Sequence, residues 1–136
     1  MRVCSCFGLL VSLVLLAARP IFAAEPTQDT LDQVKANLVD KKAVLVDVRE
    51  TDEWKAGHLT EAINVPLSML KSGAEAPEFA AVLAQQMPKN RIVYLHCKSG
   101  VRCRAAADLL KKYGYDARPL KAGYDDLVRA GFPKTK

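Results

Sequence analysis

The chain has 136 residues and a mass of 14.9 kDa, which is the size of one domain and excludes a two-domain architecture. Half of its residues are hydrophobic and 26% are charged, a composition typical of a packed globular protein and too apolar for a disordered one. The formal charge is +5, but without the first 24 residues 18 basic and 15 acidic residues remain, which gives +3. Such a weak and scattered charge argues against a nucleic acid as the partner.

The first 24 residues have the pattern of a signal peptide. Arg2 gives a short basic start, an apolar run covers residues 7–18, and Ala23 and Ala24 precede a polar segment. The run is shorter than the roughly 20 apolar residues that a membrane helix needs. We therefore expect an exported protein, periplasmic or secreted, that leaves the membrane once the signal is cleaved. An uncleaved anchor is the alternative, because a large apolar residue lies three positions before either cleavage site.

The chain after this segment alternates between helix-like and strand-like stretches. Short β-branched runs predict buried strands, and apolar residues three and four apart predict helices with one buried face. The predicted helices start between Thr27 and Asp29 and then cover 51–54, 77–87, 101–113 and 123–130, and the predicted strands cover 43–48, 62–65, 91–96 and 117–120. Because parallel strands need crossover connections, this order predicts an α/β fold with a mainly parallel central sheet and helices on both faces.

The domain boundaries follow from the same pattern. We expect a signal peptide at 1–24, a short linker at 25–30, one domain at 31–133 and a C-terminal tail at 134–136. We expect the mature chain to be a monomer.

Signal cleavage would remove Cys4 and Cys6 and leave Cys97 and Cys103. An oxidising compartment would permit a disulfide between these two. The polar, glycine-containing turn between them is instead typical of a reactive thiol. The remaining cysteines and the two histidines lack metal-ligand spacing, so we expect neither a metal nor a cofactor.

Cys97 directly follows the predicted strand 91–96, at the edge of a parallel sheet where ligands bind. The turn before the next helix can direct successive backbone N–H groups inward and form an anion-binding nest. A thiolate at its centre would be stabilised. Lys98, Arg102 and Arg104 add positive charge, so we expect the Cys97 pKa to lie below its ordinary value of about 8.5. A small, buried, structural cysteine is the alternative.

Five short motifs, in this order and spacing, resemble a single-domain rhodanese of the small exported type. They are Asp47-Val48-Arg49-Glu50, Glu53-Trp54, Gly57-His58-Leu59, Ala62-Ile63-Asn64-Val65-Pro66-Leu67 and His96-Cys97-Lys98-Ser99-Gly100-Val101-Arg102. The resemblance covers residues 31–132. It implies a sulfurtransferase in which Cys97 takes a sulfane sulfur from thiosulfate or a similar donor, carries it as a persulfide and passes it to cyanide or a thiol. The implied partners are a small anionic sulfur donor and a thiophilic acceptor.

The turn after Cys97 supplies the expected substrate-binding residues, Lys98, Ser99, Gly100, Val101 and Arg102. Lys98 and Arg102 would attract and orient the donor, and the main-chain amides of residues 98–102 would stabilise the persulfide. Asp47 and Arg49 end a strand near the site, and we expect this pair to orient loops. Glu53 would oppose an anionic donor if it faced the site.

Two other function classes stay open. A non-enzymatic sulfur carrier or binding module could use the same turn, although such a module does not need a nucleophile. A cysteine-dependent phosphatase is disfavoured because four residues separate Cys97 from Arg102, one fewer than in the phosphatase loop. The shorter loop narrows the ring of amides toward the size of a single sulfur atom.

Cys103 departs from the family pattern, in which a serine commonly follows the loop arginine. A thiol is a weaker hydrogen-bond donor than a hydroxyl, so persulfide stabilisation could be poorer. Alternatively, Cys103 could attack the Cys97 persulfide, release sulfide and form a disulfide. A third interpretation is a small helix residue that faces the sheet. We expect His58 and His96 to be structural.

Overall fold

The computed structural model describes residues 24–135, and the structural statements below concern those residues. They form six helices and four strands. In chain order these are α1 (Leu31–Val39), β1 (Ala43–Asp47), α2 (Thr51–Lys55), β2 (Ala62–Asn64), α3 (Leu67–Gly73), α4 (Phe79–Gln86), β3 (Ile92–His96), α5 (Arg102–Lys112), β4 (Asp116–Pro119) and α6 (Tyr124–Arg129).

The four strands form one sheet in the order β2-β1-β3-β4. All three neighbouring pairs are parallel, and each connection between strands contains at least one helix. Parallel pairing requires such crossovers, because the chain must return to the same end of the sheet before each strand. The predicted parallel sheet is confirmed.

Helices cover both faces of the sheet, as predicted. The first face is covered by α3, α4 and α5, and its core contains Val46, Leu70, Leu83, Leu95 and Leu110. The second face is covered by α1 and α6, and its core contains Val34, Leu45, Tyr94 and Leu127. Successive residues of β1 and β3 alternate between the two cores because neighbouring side chains of a strand point to opposite faces.

Two helices differ from the prediction. The first helix begins at Leu31, because the Thr30 hydroxyl accepts a hydrogen bond from the Gln33 amide while the Gln33 side chain accepts one from the Thr30 amide, at 3.2 and 2.7 Å. Helix α3 is not predicted at all. It has seven residues with two buried leucines, too few for a period to be recognised, and it follows Pro66, which the sequence pattern indicates as a stop.

The segment predicted to be a linker, 25–30, is bound to the domain. The Thr27 amide donates to the Pro119 carbonyl at 2.8 Å, beside the end of β4. The Asp29 carboxylate accepts hydrogen bonds from the Tyr94 hydroxyl at 2.7 Å and from the Arg118 guanidinium at 2.9 Å. These bonds join the segment to β3 and β4, so it forms part of the folded unit rather than a free connection.

The C-terminal residues are also attached to the domain. Lys134 forms an antiparallel bridge with Leu59, and the Thr135 amide donates to the His58 carbonyl at 2.8 Å. The predicted signal peptide, with Cys4 and Cys6, falls on residues outside the described range apart from Ala24, so export stays a prediction. None of the described helices has the length and apolar character needed to cross a membrane.

Replacing Asp29 with alanine tests whether the 25–30 segment contributes to the fold. The buried Tyr94 hydroxyl and the Arg118 guanidinium would each lose an acceptor, so we expect the free energy of unfolding to fall by about 1–3 kcal/mol. Urea denaturation measures this change. The exposed Asp32 on α1 is the control, and its alanine variant should stay within about 0.5 kcal/mol of the parent. Equal stability of both variants would contradict the assignment.

Candidate active site

The ends of three parallel strands bring the candidate residues to one edge of the sheet. Asp47, the last residue of β1, is in register with Asn64 of β2 and with His96 of β3. Cys97 follows His96 directly, and the loop of residues 97–101 connects β3 with α5. The nucleophile expected from the sequence therefore lies at the carboxyl edge of the sheet, where parallel sheets place their ligands.

The Cys97 side chain is fully buried beneath its own loop. The Gly100 amide donates a hydrogen bond to the Cys97 Sγ at 3.1 Å. Gly100 has a φ of +85°, and a Cβ at this position would lie 2.7 Å from the Lys121 carbonyl oxygen. Only glycine fits this left-handed position beside a neighbouring backbone, so it holds the amide in line with the sulfur.

The surroundings of the sulfur lower the pKa of Cys97 to about 5. The largest cause is the neighbouring Cys103 thiol, which lies 3.1 Å from the Gly100 carbonyl oxygen and 3.4 Å from the Leu120 carbonyl oxygen. Backbone N–H groups of Cys103, Ser99 and Gly100 act in the same direction, and burial opposes them. The fall in pKa expected from the sequence is thus present, but neutral donors are its leading causes rather than the expected cations.

Arg102 is bound to Glu53 across the site. Its two terminal nitrogens donate hydrogen bonds to the two carboxylate oxygens at 2.6 and 2.9 Å, which makes a bidentate ion pair. Each of the two side chains is about one third exposed. The hydrogen bond from Arg102 lowers the pKa of Glu53 to about 2. Glu53 therefore does face the site, where it binds the guanidinium that was expected to hold the donor.

The other two cations are also paired. The Lys98 ammonium lies 2.8 Å from an Asp125 carboxylate oxygen, and both side chains are exposed. Arg104 donates to the Ala24 carbonyl and to Glu25, at 2.9 Å in each case.

Lys98 nevertheless lines a cavity of about 270 Å³ next to the loop, together with Arg49, Glu53, Ala56, Gly57 and Tyr124. Ser99 and Val101 expose their side chains on the outside of the loop.

Asp47 and Arg49 form a buried ion pair behind this cavity. The Arg49 Nη2 lies 2.7 Å from the Asp47 Oδ2 and 2.8 Å from the Gly57 carbonyl oxygen. The Arg49 guanidinium also lies over the Tyr124 ring, 4.1 Å from its centroid. The pair thereby ties the end of β1 to the turn after α2 and to the start of α6.

His96 is buried next to the same pair, with its Nε2 3.7 Å from the Asp47 Oδ2. Burial is the largest cause that lowers the pKa of His96, so the ring is neutral at neutral pH. Among residues 24–135, no group of three or more side chains is arranged to hold a metal ion.

The start of α6 supports the loop from below, a contact that the sequence analysis missed. The Tyr124 amide donates to the Cys97 carbonyl at 2.9 Å. A Cβ on Gly123 would lie 2.0 Å from the Lys98 carbonyl oxygen, so only glycine allows the helix to approach the loop this closely. The glycine before a helix start is visible in the sequence, but the sequence does not reveal which backbone it meets.

Comparisons with known proteins agree with this geometry. The chain matches the family model described as Rhodanese-like domain over residues 30–130. A putative mitochondrial thiosulfate sulfurtransferase of Schizosaccharomyces pombe is 37% identical over 81 residues, which are 56% of each protein. A tRNA uridine(34) hydroxylase of Buchnera aphidicola is 34% identical over 93 residues, 68% of this chain and 28% of that protein. The chain thus spans less than two thirds of these relatives.

Two solved structures are similar over most of the chain. The human single-domain sulfurtransferase TSTD1 has a TM-score of 0.63 and 27% identity, with 78% of this chain and 97% of that protein covered. The Saccharomyces cerevisiae single-domain sulfurtransferase RDL2 has a TM-score of 0.61 and 29% identity, with 79% and 92% covered.

The low pKa of Cys97 can be tested by titration. We expect the ultraviolet absorbance of the thiolate, taken as the difference between the parent and Cys97→Ser, to appear with a midpoint near pH 5. A lowered pKa means that the thiolate persists as the pH falls from neutral to about 5 and is protonated below it. A midpoint in the ordinary thiol range, about 8.5, would contradict the stabilisation by Cys103 and the loop amides.

Gly123→Ala tests the support of the loop by α6. The added methyl would collide with the Lys98 backbone, so the loop and the helix must separate, and the donors to the Cys97 sulfur would be displaced. We expect the thiolate midpoint to rise toward the ordinary thiol range. Gly114→Ala is the matched control, because its φ of +82° costs stability, about 1 kcal/mol, but its Cβ would meet nothing within 4 Å. An unchanged midpoint in Gly123→Ala would show that this contact does not hold the loop.

Proposed function

The chain belongs to the rhodanese-like domain family, and we propose that it is a sulfurtransferase that loads Cys97 with sulfur from thiosulfate or a similar anionic donor. It then passes the sulfur to a thiol or to cyanide. The observation that carries the proposal is the Cys97 sulfur itself, held among loop amides with a pKa of about 5. A thiol of ordinary pKa would be mostly protonated at neutral pH, whereas this one is a thiolate and hence a nucleophile.

Loading is a displacement at sulfur. The Cys97 thiolate attacks the sulfane sulfur of thiosulfate, the sulfur–sulfur bond of the donor breaks, and sulfite leaves with the electron pair. The product is a persulfide whose negative charge lies on the outer sulfur. Backbone N–H groups of Ser99 and Gly100, which contribute to the low thiol pKa, are available to this new anion as well.

Unloading reverses the roles of the two sulfur atoms. The acceptor attacks the outer sulfur, and the Cys97 thiolate is the leaving group. A thiol of low pKa leaves faster than one of ordinary pKa. The same donors that activate Cys97 as a nucleophile therefore also speed its departure, and this is the property that a carrier of sulfur needs.

Because Lys98 and Arg102 are each paired with a carboxylate, a donor must compete with that carboxylate to bind them. Arg102 reaches a donor in the cavity only by loosening its ion pair with Glu53, whereas the exposed Lys98–Asp125 pair is easily separated. A small dianion such as thiosulfate can compete for these cations because it carries two charges. We propose that Lys98 attracts the donor and that Arg102 orients it after partial release from Glu53.

Brief treatment with thiosulfate tests the proposal directly. We expect intact-mass analysis after rapid acid quenching to show the addition of one sulfur atom, and cyanide should remove that atom. Cys97→Ser should take up no sulfur, because it lacks the thiolate. Sulfite should appear in an amount equal to the protein.

An aryl phosphate serves as the contrasting substrate. Its hydrolysis should not exceed the background rate, because the loop between Cys97 and Arg102 is one residue shorter than in the phosphatases. Phosphatase turnover that is absent in Cys97→Ser would overturn the proposed reaction. A sulfur adduct that neither cyanide nor a thiol removes would indicate a binding module instead of an enzyme.

A further inference from the structure

We propose that Cys103 gives this domain a second activity, reductive release of sulfide: its thiol attacks the Cys97 persulfide, expels hydrosulfide and leaves a disulfide between Cys97 and Cys103. An external thiol then reduces the disulfide and restores the enzyme. The inference rests on the proposed function, because it needs the persulfide that thiosulfate forms on Cys97.

Both sulfur atoms form a hydrogen bond with the backbone of the same residue, Gly100. The Gly100 amide donates to the Cys97 Sγ at 3.1 Å, and the Gly100 carbonyl accepts from the Cys103 thiol at the same distance. The Cys103 thiol also lies 3.4 Å from the Leu120 carbonyl oxygen, and each of the two thiols is the leading cause of the other's pKa shift, which indicates that they are neighbours. Both cysteines are fully buried free thiols, and they are the only cysteines among residues 24–135.

Cys103 and an external acceptor approach the persulfide from different sides. Cys103 is in the first turn of α5 and belongs to the same buried core cluster as Cys97, so it would approach the inner sulfur, the Cys97 Sγ, from inside the domain. We expect the donor and any external acceptor to arrive from the solvent side, so loading would leave the outer sulfur on that side. In thiol–disulfide exchange the sulfur that is attacked determines the product. Attack on the outer sulfur transfers it, whereas attack on the inner sulfur releases it.

The atoms and electrons of this step balance without another reactant. A bond forms between the Cys103 and Cys97 sulfurs while the bond from the Cys97 sulfur to the outer sulfur breaks. The electron pair of the broken bond and the Cys103 proton go to the outer sulfur, which leaves as hydrosulfide. The outer sulfur is thereby reduced to sulfide, and the two cysteines are oxidised to a disulfide.

The thiolate on Cys97 keeps Cys103 protonated until the persulfide forms. In the resting site the neighbouring Cys97 side chain is the largest cause that raises the pKa of Cys103, and burial acts in the same direction. Loading moves the negative charge from the Cys97 sulfur to the outer sulfur. The Cys97 sulfur then no longer raises the pKa of Cys103, and the outer sulfur receives the Cys103 proton as its bond to the Cys97 sulfur breaks.

A single-turnover experiment without external thiol tests the inference. The full-length, fully reduced protein is desalted under anaerobic conditions and mixed with one equivalent of thiosulfate, and sulfite, sulfide and intact mass are followed with time. We expect the parent to form the persulfide and then release one sulfide per protein, with loss of two hydrogen atoms from the thiol form. Peptide mapping should locate the disulfide at Cys97 and Cys103. Dithiothreitol should then allow a second turnover.

Cys103→Ser is the matched variant, because a serine hydroxyl has nearly the same size and still donates a hydrogen bond. It should release sulfite at loading but no sulfide, and its persulfide should persist about tenfold longer or more. The result for the parent decides the proposal even if this variant does not fold.

Two failures are distinguishable. A parent that takes up the sulfur and holds it as long as Cys103→Ser, without sulfide or disulfide, would overturn this inference and leave the proposed function intact. A parent that takes up no sulfur and releases no sulfite would overturn both. A disulfide that forms equally in protein never treated with thiosulfate would also overturn the inference, since simple oxidation would then explain it.

Discussion

The chemistry of this domain depends on keeping a thiolate charged while its sulfur is fully buried. Burial alone favours the neutral thiol, so the Cys97 sulfur needs donors that stay close to it. The neighbouring cations do not lead in this role: Arg102 is bound to Glu53 and Lys98 to Asp125. Backbone amides and the Cys103 thiol supply the donors instead. These N–H and S–H dipoles carry no net charge. They stabilise the Cys97 thiolate but do not neutralise the charge of an incoming anionic donor.

Such donors act only if the backbone is held in place, and the fold does this with close backbone contacts. Strand β3 ends at His96, next to the end of β1, Cys97 follows directly, and α5 begins five residues after Cys97. Gly100 turns the chain so that its amide meets the sulfur, and Gly123 lets α6 contact the Lys98 backbone from below. The buried Asp47–Arg49 pair fixes the adjacent turn through the Gly57 carbonyl. Close-packed interiors transmit displacements. The backbone shift that a methyl group at Gly123 causes would therefore extend to the Cys97 sulfur.

The fold was accessible from the sequence because its signals are local. Alternating β-branched runs and helical periods predict the parallel sheet and both helical layers, and the motif around Cys97 predicts the nucleophilic loop. The remaining features depend on contacts between distant segments. Glu53 is 49 positions from Arg102, and no local pattern reveals that these side chains bind each other. Helix α3 is too short to show a period, and the binding of residues 25–30 depends on Tyr94 and Arg118, far along the chain. The roles of the site residues in sulfur transfer stay predictions.

Cys103 connects the stability of the thiolate with the lifetime of the persulfide. A hydroxyl at this position would donate to the Cys97 sulfur and could do nothing further, because an alcohol does not form a bond to sulfur under these conditions. A thiol lowers the pKa of Cys97 in the resting state and, in the proposed release step, becomes a nucleophile once the charge has moved to the outer sulfur. The fate of the sulfur then depends on competition between a buried thiol of fixed position and an external acceptor whose rate rises with its concentration. Abundant acceptor favours transfer, and scarce acceptor favours release of sulfide, so one side chain makes the product depend on the supply of acceptor.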